Sequence, residues 1–121
     1  MSQFSVTLIP STVVTATLHS SAVQNTPPLP NGNIIINVTA RTSGSITPSI
    51  ESLDPASGTY YTVLTGTAMS AVGQQVLHVG PSFPATANVS ATDILPSTWR
   101  VTLTAAGSTS LTASVGINLT P

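Results

Sequence analysis

Cysteine and lysine are both missing from this 121-residue chain. Without cysteine there is no disulfide and no thiolate metal site. Without lysine there is no ammonium group to reach a phosphate from a glycine-rich loop. Two arginines, Arg41 and Arg100, stand beside three acids, Glu51, Asp54 and Asp93, for a formal net charge of −1. Charged residues make up 4% of the chain, against about 25% in an ordinary domain. Nucleic-acid binding draws on many cationic side chains that release phosphate counterions, and two arginines cannot supply that footprint. No nucleic-acid partner is therefore expected. The longest strongly apolar run, Ile34-Ile35-Ile36, stops at Asn37, far short of the roughly 20 residues of a membrane-spanning helix. The opening MSQFSVTLIP has neither the basic nor the long apolar region of a secretory signal. Synthesis in a cytoplasm, with no membrane partner, is the expectation.

What is there instead is hydroxyl and aliphatic. Serine and threonine together supply roughly three residues in ten, and the hydrophobic fraction is 40% with a mean hydropathy of +0.37. Low charge with low hydrophobicity would mean disorder, but this chain has enough apolar surface to bury a core. Its length is that of one domain, residues 1–121, and needs no metal or disulfide to be stable. A surface coated with hydroxyls and carrying almost no net charge repels its neighbours little. It suits a protein packed against copies of itself or against another shell.

Period-two alternation dominates and argues strands. Phe4, Val6 and Leu8 alternate with Ser5 and Thr7, and Val14, Ala16 and Leu18 with Thr15 and Thr17. Ile34, Ile36, Val38 and Ala40 share a face. Trp99, Val101, Leu103 and Ala105 form another, and Leu111, Ala113, Val115, Ile117 and Leu119 a third. Strands with one apolar and one polar face are half buried, and two such sheets stack as a sandwich. The expectation is an all-β fold: an antiparallel, jelly-roll-like β-sandwich of about eight to nine short strands. Residues 1–10 are expected to form an N-terminal arm or edge strand.

Glycine and proline supply the expected breaks. Pro10-Ser11 is expected to separate the first two strands, and Thr26 to Pro30 to be an extended loop. Asn31-Gly32 reads as a tight turn, Ser43-Gly44-Ser45 as a divider between two strands, and Ala105 to Ser108 as a hairpin turn. Asp54 to Gly58 reads as a loop before Tyr60, and Gly80 to Pro84 as the end of the strand from Val76 to Val79. Pro48 and Pro96 should mark edges or strand ends. Residues 67–75 or 92–96 have room for a single helical turn. The likeness of Asn37-Val38-Thr39-Ala40 to Asn88-Val89-Ser90-Ala91 is chance in so restricted a composition.

Catalytic and ligand motifs are not found. The three acids sit in no glycosidase pattern, and His19 and His78 are not at metal-ligand spacing. No Gly-x-Ser-x-Gly elbow is present. No catalytic residue, cofactor or metal is expected. The sequons at Asn37, Asn88 and Asn118 are about as many as six asparagines give by accident in this composition. Tyr60, Tyr61 and Trp99 could form a sugar-stacking platform, but Trp99 and one tyrosine read better as core. Arg100, on the face opposite Trp99, is expected either to pair with Glu51 or Asp93 or to anchor a partner, since arginine is enriched at interfaces.

The segments ITPSIESLDPASGTYYTVLTGTAMSAVGQQVLHVGP and ATANVSATDILPSTWRVTLTAAGSTSLTASVGINL resemble small virion structural proteins of tailed bacteriophages. The matching pieces are Ser49 to Glu51, Tyr61 to Leu64, Val76 to Pro81, Trp99 to Val101 and Ser114 to Gly116, across the last two thirds of the chain. The resemblance implies decoration or stabilisation of a capsid, with the major capsid protein or other virion proteins as partners, a homo-oligomer, with a trimer expected, and a place in the virion. A tail or neck structural protein, or a receptor- or carbohydrate-binding module, is the alternative. Phe4, Val6, Leu8 and Arg100 are the candidate assembly residues. Strand-like residues 2–9 could pair with a neighbouring chain's sheet edge.

Overall fold

The computed structural model describes residues 4–24, 29–81, 83–92 and 98–120. These are all-β, and no helix occurs among them. Eight strands follow in order: β1 Phe4–Val14, β2 Leu18–His19, β3 Val23–Gln24, β4 Asn31–Leu53, β5 Tyr60–Thr65, β6 Gly73–Val79, β7 Ser90–Ala91 and β8 Thr98–Thr120. They form one mixed sheet in the order β1-β8-β4-β6-β7, with β2 and β3 also on β8 and β5 also on β4.

The strands are not uniformly short. β4 and β8 each run 23 residues and pair antiparallel along their whole length. Residues 31–43 lie against 110–120, and residues 45–52 against 99–106. Between Ser43↔Ser110 and Ser45↔Ala106 the register breaks: β4 advances past Gly44 while β8 advances past residues 107–109. Gly44 has φ +74° and Gly107 φ +70°. Such a wide bulge bends a ribbon without ending it. The segments read as a strand divider at Gly44 and a hairpin turn at Gly107 are therefore corners inside continuous strands. A glycine between two alternating runs looks the same in sequence whether the chain reverses there or bends.

Other expected breaks are overridden too. Asn31-Gly32 is not a turn but the start of β4, opposite Thr120 and Leu119. Pro10-Ser11 lies within β1, which absorbs it with register shifts between Thr7 and Ile9 and between Ile9 and Thr12. Pro48 lies inside β4 opposite Leu103. Its carbonyl accepts the Gly66 N–H at 2.8 Å, just beyond the last β5 pair, Ser49↔Thr65. Residues 67–75 hold no helical turn. Pairing is not wholly antiparallel, because β7 runs parallel to β6. The chain between them turns at Gly80–Phe83 and again at Thr86–Val89, where Asn88 takes φ +64°. Residues 25–28, Pro96 and most of the 92–96 segment lie outside the described residues.

The alternation keeps its phase through both corners. Ile34, Ile36, Val38, Ile46 and Ile50 of β4 are buried, as are Trp99, Val101, Leu103, Leu111, Ala113, Val115, Ile117 and Leu119 of β8. One hydrophobic cluster takes all of them, with Ile9, Val14, Val23, Leu64, Met69, Leu77 and Val79 from the flanking elements. Each large side chain so buried contributes about 1.5–3 kcal/mol. The segment after β5 links the two halves of the ribbon. The Gln75 side-chain amide bonds both the N–H and the carbonyl of Thr67, at 2.8 and 3.0 Å. The Asn88 amide donates to the carbonyls of Thr65 and Gly66, at 3.0 and 3.2 Å.

Candidate assembly surface

β1 is the terminal strand of the sheet order and, among the described residues, pairs on one side only, with the C-terminal half of β8. Phe4 opens it opposite Leu119; the placement of the Phe4 side chain lies outside the described residues. Leu8 is half-buried and packs against the core. Val6 is 42% exposed although it belongs to an otherwise buried cross-strand row. In that row Leu77 pairs with Ile34, Ile34 with Ile117, and Ile117 with Val6. The first three are at most 1% exposed, and Val6 is the open end of the row, since among the described residues no strand pairs with the outer side of β1. On the opposite face, Gly116 leaves a shallow open groove of about 360 Å³ lined in part by Ser5, Thr7, Ile35 and Asn118.

Arg100 lies on the other half of β8, beyond the corner from the stretch that pairs with Phe4 to Leu8. The four residues read together from sequence as an assembly surface thus fall into two separate patches.

Around Arg100 the sheet carries a continuous polar chain. The Arg100 Nε–H donates to Glu51 Oε1 at 2.7 Å, and the Thr102 hydroxyl donates to the same oxygen at 2.7 Å. The His19 Nδ1 lies 2.8 Å from Thr102 Oγ1. A carboxylate only accepts, so Thr102 gives its single proton to Glu51 and must accept from His19. This places a hydrogen on His19 Nδ1. The guanidinium lies over the Tyr60 ring, 3.8 Å from its centroid. Burial pushes the Glu51 carboxyl up, but hydrogen bonds from Thr102 and Arg100, with the charge of the guanidinium, outweigh it and hold it below the ordinary value of 4.5. The network runs from His19 of β2 through Thr102 of β8 and Glu51 of β4 back to Arg100 of β8 and on to Tyr60 of β5. Its order is the reverse of a nucleophile and its base: the histidine donates toward the hydroxyl instead of accepting from it.

The Arg100–Glu51 pair was one of the expected alternatives; Asp93, the other acid named for it, lies outside the described residues. His19 and Thr102 were missed, because neighbours across strands appear only once the register is known. The aromatic residues do not form one platform. Trp99 is fully buried, with its indole N–H lacking a hydrogen-bond partner among the described residues. Tyr60 carries the guanidinium, and Tyr61 is 55% exposed. The second histidine, His78, donates from Nδ1 to Asn33 Oδ1 at 2.6 Å and sits 5.0 Å from the Phe83 ring. Among the described residues no three His, Asp or Glu side chains gather as a metal site would need.

Comparison of the chain with known families, with characterised proteins and with solved structures finds no match.

Proposed function

We propose that this chain is a bacteriophage virion structural protein that decorates and stabilises a capsid, working as a β-sandwich domain without catalytic chemistry. One observation carries the reading: the outer faces offer docking groups but almost no charge. Glu51 and Arg100 neutralise each other, the Arg41 Nε–H is tied to the Gly44 carbonyl at 2.9 Å, and Asp54 accepts within its own turn from Ala56 and Ser57. What remains outward is mostly hydroxyl, amide and aliphatic, with Tyr61 and Arg41 exposed among them. Such a skin binds by shape and hydrogen bonds, repeated over many lattice positions so that weak single contacts add up. The ribbon bent at Gly44 and Gly107, with both halves sharing one buried cluster, supports the sandwich reading. The resemblance of residues 46–119 to phage virion proteins supports the particle.

Imaging intact particles and counting copies tests the role. Hundreds of copies on the shell are expected, while a few at the tail or neck would replace capsid decoration with the alternative virion role. Because the faces are nearly neutral, occupancy should change little as salt rises from about 0.05 M to about 0.5 M, where screening shortens from more than 10 Å to a few ångströms. Steep loss of occupancy over that range would contradict docking by shape.

A further inference from the structure

We infer that β1 is a self-association edge, on which a second copy of this chain adds its own β1 antiparallel about a two-fold axis through Val6. The first part of this edge lacks the usual protection. Natural edge strands are blunted by charged side chains, proline or bulges. β1, with the sequence FSVTLIPSTVV, has no charge. Its proline and both register shifts lie after Thr7, so residues 4–7 form a regular, unguarded stretch.

The row ending at Val6 indicates what covers this stretch. Leu77, Ile34 and Ile117 are buried, and Val6 is the open end of the same line. A second β1 in two-fold register sets Val6 against Val6 of the other copy, Phe4 against Leu8, and Ser5 against Thr7. The buried row then runs on through both molecules, and the hydroxyl pair falls on the face that carries the Gly116 groove. Like-with-like pairing is usually opposed by like charge. Here neither β1 nor a net charge of −1 opposes it. Residues 4–8, the last of them at the first register shift, make a small interface, so the dimer is weak and depends on concentration.

The reading needs only purified protein. Sedimentation equilibrium of the full chain from micromolar to millimolar concentration should show monomers giving way to dimers. Val6→Lys and Val6→Glu should each weaken this by about tenfold or more, because identical charges then meet on the axis. Mixing the two variants should restore the dimer. Val6 is already 42% exposed, so both variants should keep the wild-type circular dichroism spectrum. In a chain with no native cysteine, Val6→Cys should oxidise to a covalent dimer much faster than Val13→Cys, at another exposed β1 position. A wild type that stays monomeric at millimolar concentration, charge variants that associate like wild type, a mixture that fails to recover, or equal oxidation at both positions would overturn the pairing. The virion reading fails separately, if particles carry no copies; a monomer found on shells would sink only the β1 pairing.

Discussion

Glu51 is the residue on which most of the outer-face chemistry converges. It accepts from Thr102 and Arg100, and its carboxyl is held below the ordinary range. A carboxyl depressed in the folded state contributes stability above its unfolded value and loses it as pH falls through the folded value, because the unfolded chain takes up the proton first. Stability should therefore decline as pH drops below about 4.5, read as falling urea midpoints between pH 6 and pH 3. Glu51→Gln should flatten that decline. It should not abolish it, since hydrogen bonds from Ser57 and Ala56 hold Asp54 low as well. At pH 7 the same substitution should cost about 1 kcal/mol, less than the roughly 1.5–3 kcal/mol of a sheltered charged hydrogen bond, because both partners keep some access to water. A pH profile unchanged by Glu51→Gln would show that the pair contributes nothing to folding. Part of this network was readable in advance: Arg100 is on the face opposite Trp99, and few acids exist to meet it. The link from His19 was not, because a two-residue strand has no periodicity to announce it.

At the scale of the strand, sequence revealed most of the faces of β4 and β8 and misjudged the lengths; Val14, Ala16 and Leu18 do not share a strand, since β1 ends at Val14 and β2 begins at Leu18, and Ala40 is exposed although it was expected on the Ile34 face. Ile34, Ile36 and Val38 on one side of Gly44, and Ile46 and Ile50 on the other, alternate as expected and are all buried. That they belong to one strand depends on a φ of +74° at Gly44, and composition cannot distinguish a bend from a reversal. The two corner glycines should respond differently to substitution. Gly107 has φ +70° with nothing within 4 Å of where an added methyl would sit, so Gly107→Ala meets only the left-handed backbone penalty, about 1–2 kcal/mol. At Gly44 the added carbon would also run into the backbone and side chain of Thr109. Gly44→Ala should therefore cost more, about 3 kcal/mol or above, through the same penalty plus overpacking. Guanidinium unfolding of both variants checks the order, and equal losses would mean that Thr109 moves aside freely. The short strands were the least legible. β2 and β3 each pair with β8 over two residues only, and beside β2 the Ser20 and Thr17 hydroxyls add to that short ladder by accepting from the N–H groups of Val101 and Ala105. The parallel turn of β7 likewise depends on Asn88 in a conformation that its sequence neighbours do not signal.

Across the whole molecule, the β4–β8 ribbon makes the two ends of the sheet one mechanical unit. It pairs residues roughly fifty to ninety positions apart, so a large loop-closure cost precedes any stabilising contact, and folding should be slow for the chain's size. The same continuity means that neither half can melt alone without exposing the inner side of strands that the other half still holds. Trp99 is buried on the stretch of β8 before the corner, which makes its fluorescence a local reporter, whereas far-ultraviolet circular dichroism reads every strand. The two signals should trace a single urea transition. Ile36→Val, on the far side of the corner, should remove about 1 kcal/mol and displace both curves equally, although Ile36 and Trp99 lie on different halves of the ribbon. If the bend instead separates two independently folding units, the Ile36→Val curve by circular dichroism would move while the Trp99 curve stayed in place.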